Sequence, residues 1–206
     1  MSPNSEIVRR VAIAGYMGAG KSTCAQLLAS PNARIIDADR EAKLLMDSDE
    51  SIKRRLAAAF DVSVIDGNSV EFERLGKAAF ASVRTMRILN GIVHPSLVTR
   101  LEGLLSLEAG PCILDAALIP MWGIESWFDR CLWVTAPRSL RRARTKAKTG
   151  MPLGQINLRM KVQEALFGPP AAAAGPLWTI VENDGTLEEL RIRIAGLHVL
   201  RLDEQM

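Results

Sequence analysis

Apolar positions along this chain fall into short unbroken runs, separated by stretches with helical spacing. Ile7 to Ala14 is apolar apart from Arg9 and Arg10 and reads as a first strand. Lys21 to Leu28 holds helix formers without Pro or interior Gly, and Ser30-Pro31-Asn32 closes it with turn residues. Arg34-Ile35-Ile36-Asp37 is a second strand. Ala38 to Met46 follows as a helix with Ala42, Leu45 and Met46 on one side. From Ser51 to Leu107 nearly everything reads as helix, with turns expected at Asp66-Gly67-Asn68, Asn90-Gly91 and His94-Pro95. Its last helix repeats Leu97, Leu101, Leu104 and Leu105 along one face. Pro111 to Asp115 and Cys131 to Thr135 are bounded apolar runs suited to strands buried on both faces. Arg138 to Lys148 is a basic helix, and Leu153 to Phe167 another. The Gly168-Pro169-Pro170 stretch, with the alanine run to Gly175-Pro176, is a loop. Trp178 to Val181 makes a fifth strand, and the Thr186-Leu187-Glu188-Glu189 capping box starts the final helix. Strands alternating with helices predict an α/β fold with a parallel sheet, interrupted by a helical insertion.

Composition narrows the class. The 206 residues, 48% hydrophobic and 24% charged, suffice for one compact domain or one domain with an insertion. A net charge of +3 is too small and dispersed to require a nucleic acid. No apolar run approaches the roughly 20 residues of a membrane span, and the first residues lack signal-peptide order, so a cytoplasmic protein is expected. Cys24, Cys112 and Cys131 cannot pair completely, sit among apolar neighbours and read as core. The pattern assigns no oligomeric state.

Gly15-Tyr16-Met17-Gly18-Ala19-Gly20-Lys21-Ser22 matches G-x-x-x-x-G-K-[ST] at every fixed position, between a predicted strand and a predicted helix. Glycines let backbone N–H groups turn inward on phosphates, and the helix start presents its positive end. Lys21 reaches toward the β and γ phosphates, the Ser22 hydroxyl is a magnesium ligand, and Thr23 is placed for the α phosphate. The motif predicts nucleotide binding; without an Asn-Lys-x-Asp guanine signature, a small-molecule kinase is favoured over a GTPase.

Asp37 and Asp39 follow the second strand one residue apart, at the sheet edge where ligands of parallel sheets bind. Either one of them caps the next helix while the other faces the cleft, or the pair serves helix capping alone; Asp39 is the candidate base. Asp115 ends the third core strand, either as a magnesium-water ligand or as a turn-stabilising residue. Arg138, Arg141, Arg142, Arg144, Lys146 and Lys148 crowd one helical stretch, which is either a solvated basic face or a lid over a triphosphate.

Five separated stretches resemble the dephospho-CoA kinase family: the phosphate loop ending Gly20-Lys21-Ser22-Thr23, Ile36-Asp37-Ala38-Asp39, Leu89 to Pro95, the arginine-rich lid ending at Gln163, and Val181 to Gly185. The resemblance implies a P-loop NTPase-type three-layer fold with a five-stranded parallel core. Residues 1–39 and 111–206 would be that core, with a lid at about 138–165, and 40–110 a helical acceptor domain. It implies ATP and Mg2+ as cofactors, dephospho-CoA as the small-molecule partner, and transfer to the ribose 3'-hydroxyl, the last step of coenzyme A synthesis. Asp39 matches the family's catalytic carboxylate. Lys21 and Arg144 join it in catalysis, Arg142 and Asn183 in nucleotide binding, and Arg74 and His94 on the acceptor side. His94 is equally well read as a structural residue, and His198 as a surface one. The chain departs from the family pattern in the lid, where arginine spaced four from arginine becomes Arg142 with Lys146 or Arg144 with Lys148. It departs again at Ala117 to Trp122, which leaves Glu125 as a substitute carboxylate, and at Phe72, where Arg74 stands close enough to compensate. Two other readings are a related nucleotide or metabolite kinase and a non-catalytic ATP-binding sensor; acceptor-dependent turnover separates them.

Overall fold

The structure is a computed structural model that describes residues 9–169 and 177–197. The predicted leader, the first two residues of the expected first strand, the run 170–176 and His198 lie outside the described residues. The strands are β1 (Arg10–Ala14), β2 (Arg34–Asp37), β3 (Ile65–Asp66), β4 (Ser69–Val70), β5 (Cys112–Asp115), β6 (Arg130–Thr135) and β7 (Trp178–Glu182). The α-helices are α1 (Lys21–Leu28), α2 (Ala38–Ser48), α3 (Glu50–Phe60), α4 (Phe72–Ala79), α5 (Val83–Ser106), α6 (Ile119–Trp122), α7 (Arg138–Thr149), α8 (Leu153–Leu166) and α9 (Leu187–Gly196).

The described residues of Met1–Asp37, Glu108–Met151 and Phe167–Met206 form one compact unit. At its centre is a five-stranded sheet in the order β2, β5, β1, β6, β7, and every pairing is parallel. The short apolar runs are continuous because the inner strands are covered on both faces, leaving no side for polar alternation. Val11, Ile13, Ile113, Leu132 and Val134 pack against Cys24, Ala25 and Leu28 of α1 and Leu190 and Ile194 of α9. Each such aliphatic side chain contributes roughly 1.5–3 kcal/mol by leaving water. The chain runs outward from β1 to β2, returns to β5, then crosses to β6, so the strand order reverses beside β1. That reversal creates the crevice in which ligands of open parallel sheets bind. All three cysteines are buried, and burial pushes the Cys24 and Cys131 thiols up to about 12. They are core residues whose burial favours the protonated thiol. Among the described residues no helix is long and apolar enough to cross a membrane.

The second unit comprises Ala38–Leu107 and Pro152–Leu166. Ala79, Met86 and Val162 form a small core, backed by Phe60, Phe80, Leu89 and Leu166. The turn expected at Asp66-Gly67-Asn68 closes the β3–β4 hairpin, with Gly67 at φ +56°. Lys53 reaches that turn from α3, donating to the Asn68 carbonyl at 2.8 Å and its side-chain oxygen at 2.9 Å.

The turns expected at Asn90-Gly91 and His94-Pro95 do not form; α5 runs unbroken through both, with Pro95 inside it. Proline has no N–H for the carbonyl four residues earlier, which here belongs to Gly91. Arg55 on α3 supplies the missing donor: Nη2 reaches the Gly91 carbonyl at 3.3 Å and Nη1 the Ile92 carbonyl at 3.4 Å. The Ser82–Thr85 capping box starts the helix, and buried Ile92, Val93, Leu97, Leu101 and Leu105 hold it down on either side of the proline. Tertiary packing outweighs the local breaker here.

Candidate active site

The loop between β1 and α1 has a backbone that only its glycines permit. Gly15, Gly18 and Gly20 sit at φ +146°, +77° and +99°, where L side chains are strained. Each is also walled in. A Cβ on Gly15 would stand 2.3 Å from the Val134 carbonyl oxygen, one on Gly18 2.3 Å from that of Arg141, and one on Gly20 2.2 Å from Asn183 Nδ2. The glycines thus press the loop against β6, α7 and the turn after β7. Gly20 caps α1 with no side-chain acceptor, and the first turn of α1 carries no acidic residue. Its amides and positive end are open to an anion.

Ser22, in that first turn, donates from Oγ to Asp115 Oδ2 at 2.7 Å. Asp115 is 7% exposed at the end of β5, in register with Ile13 of β1 on one side and Asp37 of β2 on the other. A hydroxyl and a carboxylate so placed are hard oxygen ligands. Among the described residues no three His, Cys, Asp or Glu side chains gather to hold a metal ion. Two such oxygen groups leave most of a hard cation's positions to water and phosphate oxygens.

Asn183 is buried and joins four parts of the unit. Its N–H donates to the Thr135 carbonyl at 2.7 Å, and its Nδ2 donates to the Ala19 carbonyl inside the loop at 2.7 Å. Arg144 Nη1 donates to the Asn183 carbonyl at 2.7 Å, while Nη2 lies 3.4 Å from both Asn183 Oδ1 and the Gly185 carbonyl. The arginine of the basic helix and the phosphate loop are thus tied through one amide. Neither charge nor periodicity signals this contact in the sequence, since its ends lie 164 residues apart.

Helix α7 is not uniformly solvated. Arg141 and Thr145, four apart, are buried against Gly18, with Thr145 Oγ1 donating to the Arg141 carbonyl at 2.8 Å. The Arg141 guanidinium lies 4.9 Å from the centre of the Tyr16 ring, and its Nε donates to the Ala136 carbonyl at 3.2 Å. Tyr16 in turn donates to the Phe167 carbonyl at 3.0 Å and meets Trp133 edge-on. Tyr16 and Arg141 therefore act as packing for the loop, a role the motif alone does not disclose. Arg142 is exposed, and Lys146 donates to the Gly150 carbonyl at 2.9 Å. Lys21 opens α1, with Thr23 in the same first turn.

Asp39, Arg74 and His94 belong to the second unit. Asp39 is exposed in the first turn of α2. Arg74 on α4 donates to the Ser63 carbonyl at 3.0 Å. His94, half-buried on α5, is pulled down to about 4 by burial, so it is neutral at pH 7. Between pH 6.5 and about 4 the unfolded chain binds a proton at this residue that the folded chain refuses, so stability falls as the solution is acidified through that window. With about 1.4 kcal/mol per pH unit, the loss has a ceiling of roughly 3 kcal/mol. Urea unfolding at several pH values should show His94→Gln gaining on the wild type by up to that amount between pH 7 and 4; parallel curves would refute it.

Comparison with known proteins adds independent information. A model of the dephospho-CoA kinase family matches residues 9–189. The dephospho-CoA kinase of Thermobifida fusca is 30% identical over 189 residues, covering 90% of this chain and 92% of the relative. A solved Thermus thermophilus protein, described as TT1252, superposes with a TM-score of 0.69 at 27% identity, covering 93% of this chain and 97% of that one. Dephospho-CoA kinase from Campylobacter jejuni shares the fold, with a TM-score of 0.56 at 16% identity over 92% of this chain and 95% of that one.

Proposed function

This chain belongs to the dephospho-CoA kinase family, and from that premise we infer that it transfers the γ-phosphoryl group of ATP to the ribose 3'-hydroxyl of dephospho-CoA, yielding coenzyme A and ADP in the cytosol. The observation that carries phosphoryl transfer is the Ser22–Asp115 hydrogen bond at the foot of a loop whose three glycines admit no side chain. That arrangement supports a triphosphate cradle with a cation ligand pair beside it.

The loop amides of Gly15 to Ser22 and the Lys21 ammonium hold the β and γ phosphates, with Thr23 at the α phosphate. Magnesium would be held by the Ser22 hydroxyl and the Asp115 carboxylate, and when bound it supplies positive charge against the phosphates. Asp39 accepts the proton of the attacking 3'-hydroxyl as that oxygen bonds to the γ phosphorus and the bond to ADP breaks. Arg144 and Arg142 stabilise charge on the transferring group, and residues 138–165 form the lid that brings them. Residues 40–110 form the acceptor domain, in which Arg74 and His94 face dephospho-CoA. Asn183 serves the nucleotide through the loop it braces, by way of Ala19.

Coupled ADP release with ATP and magnesium tests the reading. Adding dephospho-CoA is expected to stimulate release about 10²-fold or more over the water-only rate, as positioning of the acceptor demands. Stimulation by another small alcohol but not by dephospho-CoA would overturn the acceptor assignment. Tight ATP binding with no acceptor-dependent turnover would overturn kinase activity.

A further inference from the structure

Arg159, on α8, differs from the other arginines described in the helical unit. Arg55 is committed to the Gly91 and Ile92 carbonyls, Arg74 to the Ser63 carbonyl, Arg54 to the Glu50 carbonyl and Arg100 to Glu41, while Arg40, Arg84 and Arg87 are exposed. Arg159 is half-buried, and its guanidinium lies 4.5 Å from the centre of the Phe80 ring. Gly76 of α4 leaves the room it occupies, because a Cβ there would stand 3.3 Å from Arg159 Nη2. Among the described residues no carboxylate, carbonyl or hydroxyl accepts a hydrogen bond from it, and burial lowers its pKa from the ordinary arginine value.

Partly burying a guanidinium without a counter-charge costs stability, and the ring face offsets only part of that cost. A group held at such expense, its plane fixed by an aromatic ring and its N–H donors unused, is preorganised for a ligand with paired anionic oxygens. We propose that Arg159 binds a phosphoryl oxyanion of the acceptor, the diphosphate that joins the two halves of dephospho-CoA. The proposal rests on dephospho-CoA being the acceptor. At neutral pH the diphosphate carries that molecule's only full charges, so an acceptor-side cation has one target.

Arg159→Met keeps the stem over Phe80 and removes the fork. It is expected to raise KM for dephospho-CoA about tenfold, the value of one charge-assisted pair, while the Kd for ADP stays within about twofold of wild type. Gly76→Ala gives a second arm. Alanine favours the helix, so Tm should hold or rise, yet the added Cβ displaces the guanidinium, and KM for dephospho-CoA should climb about threefold. Weaker acceptor binding in a protein no less stable is a result that a packing role alone does not produce. Unchanged KM in both variants, beside normal wild-type turnover, would overturn the Arg159 assignment alone. A loss falling on ADP or ATP would overturn it in favour of the donor phosphates. A wild type that phosphorylates no dephospho-CoA would overturn both this proposal and the acceptor on which it rests.

Discussion

Asp39→Asn should lower kcat by about 10²–10⁴-fold, the usual range for losing a general base, while titration with ADP finds an affinity close to wild type. The amide has the size and reach of the carboxylate but takes no proton from an attacking hydroxyl. Asp39 is exposed in the first turn of α2, so the near-isosteric exchange opens no cavity. It removes one negative charge near a helix start, worth roughly 0.3–1 kcal/mol. A fall in turnover without a matching fall in Tm therefore reports chemistry. Turnover within about threefold of wild type would remove Asp39 from the base role, since that is well below what a positioned base contributes.

Asn183→Leu should weaken ADP binding by about ten- to a hundredfold, from the roughly 1–3 kcal/mol cost of stranding a buried acceptor. Leucine fills the volume but leaves the Ala19 carbonyl without its 2.7 Å donor and Arg144 Nη2 without its side-chain acceptor. The carbonyl must then turn to find another partner, and the neighbouring amides of Gly18 and Gly20 turn with it. Arg144 keeps its 2.7 Å bond to the residue 183 backbone, so part of its placement survives. The effect should appear in ADP titrations without any acceptor, which separates it from errors on the dephospho-CoA side. Unchanged ADP affinity would mean that the loop holds its shape without the amide.

The phosphate loop was readable in advance because its letters encode backbone geometry: a glycine is required wherever φ is positive and a neighbour stands too close for a Cβ, as at Gly15, Gly18 and Gly20. The three inner strands β1, β5 and β6 were readable because parallel strands covered on both faces lose polar alternation, while the edge strands β2 and β7 keep short apolar runs although Ile35 and Ile180 are exposed. The Ser22–Asp115 contact follows from those two features together, since α1 begins at the sheet edge where β5 ends. Other features depend on partners distant in the chain. Arg159 looks like one more cation until Phe80 and Gly76 are set beside it. Asn183, assigned to the nucleotide by resemblance, uses its amide on the Ala19 carbonyl. Asn90-Gly91 and His94-Pro95 carry the local chemistry of turns, and the helix continues there through its buried apolar face and through Arg55, 36 residues from Gly91.

That last arrangement gives α5 a hinge pin borrowed from a neighbour. The helix cannot close its own ladder at Pro95, and the closure comes from a side chain that can be exchanged without altering one residue of α5 itself. Shortening, lengthening or neutralising residue 55 is therefore a way to loosen the longest helix of the second unit from outside it, leaving its faces and its histidine chemically intact.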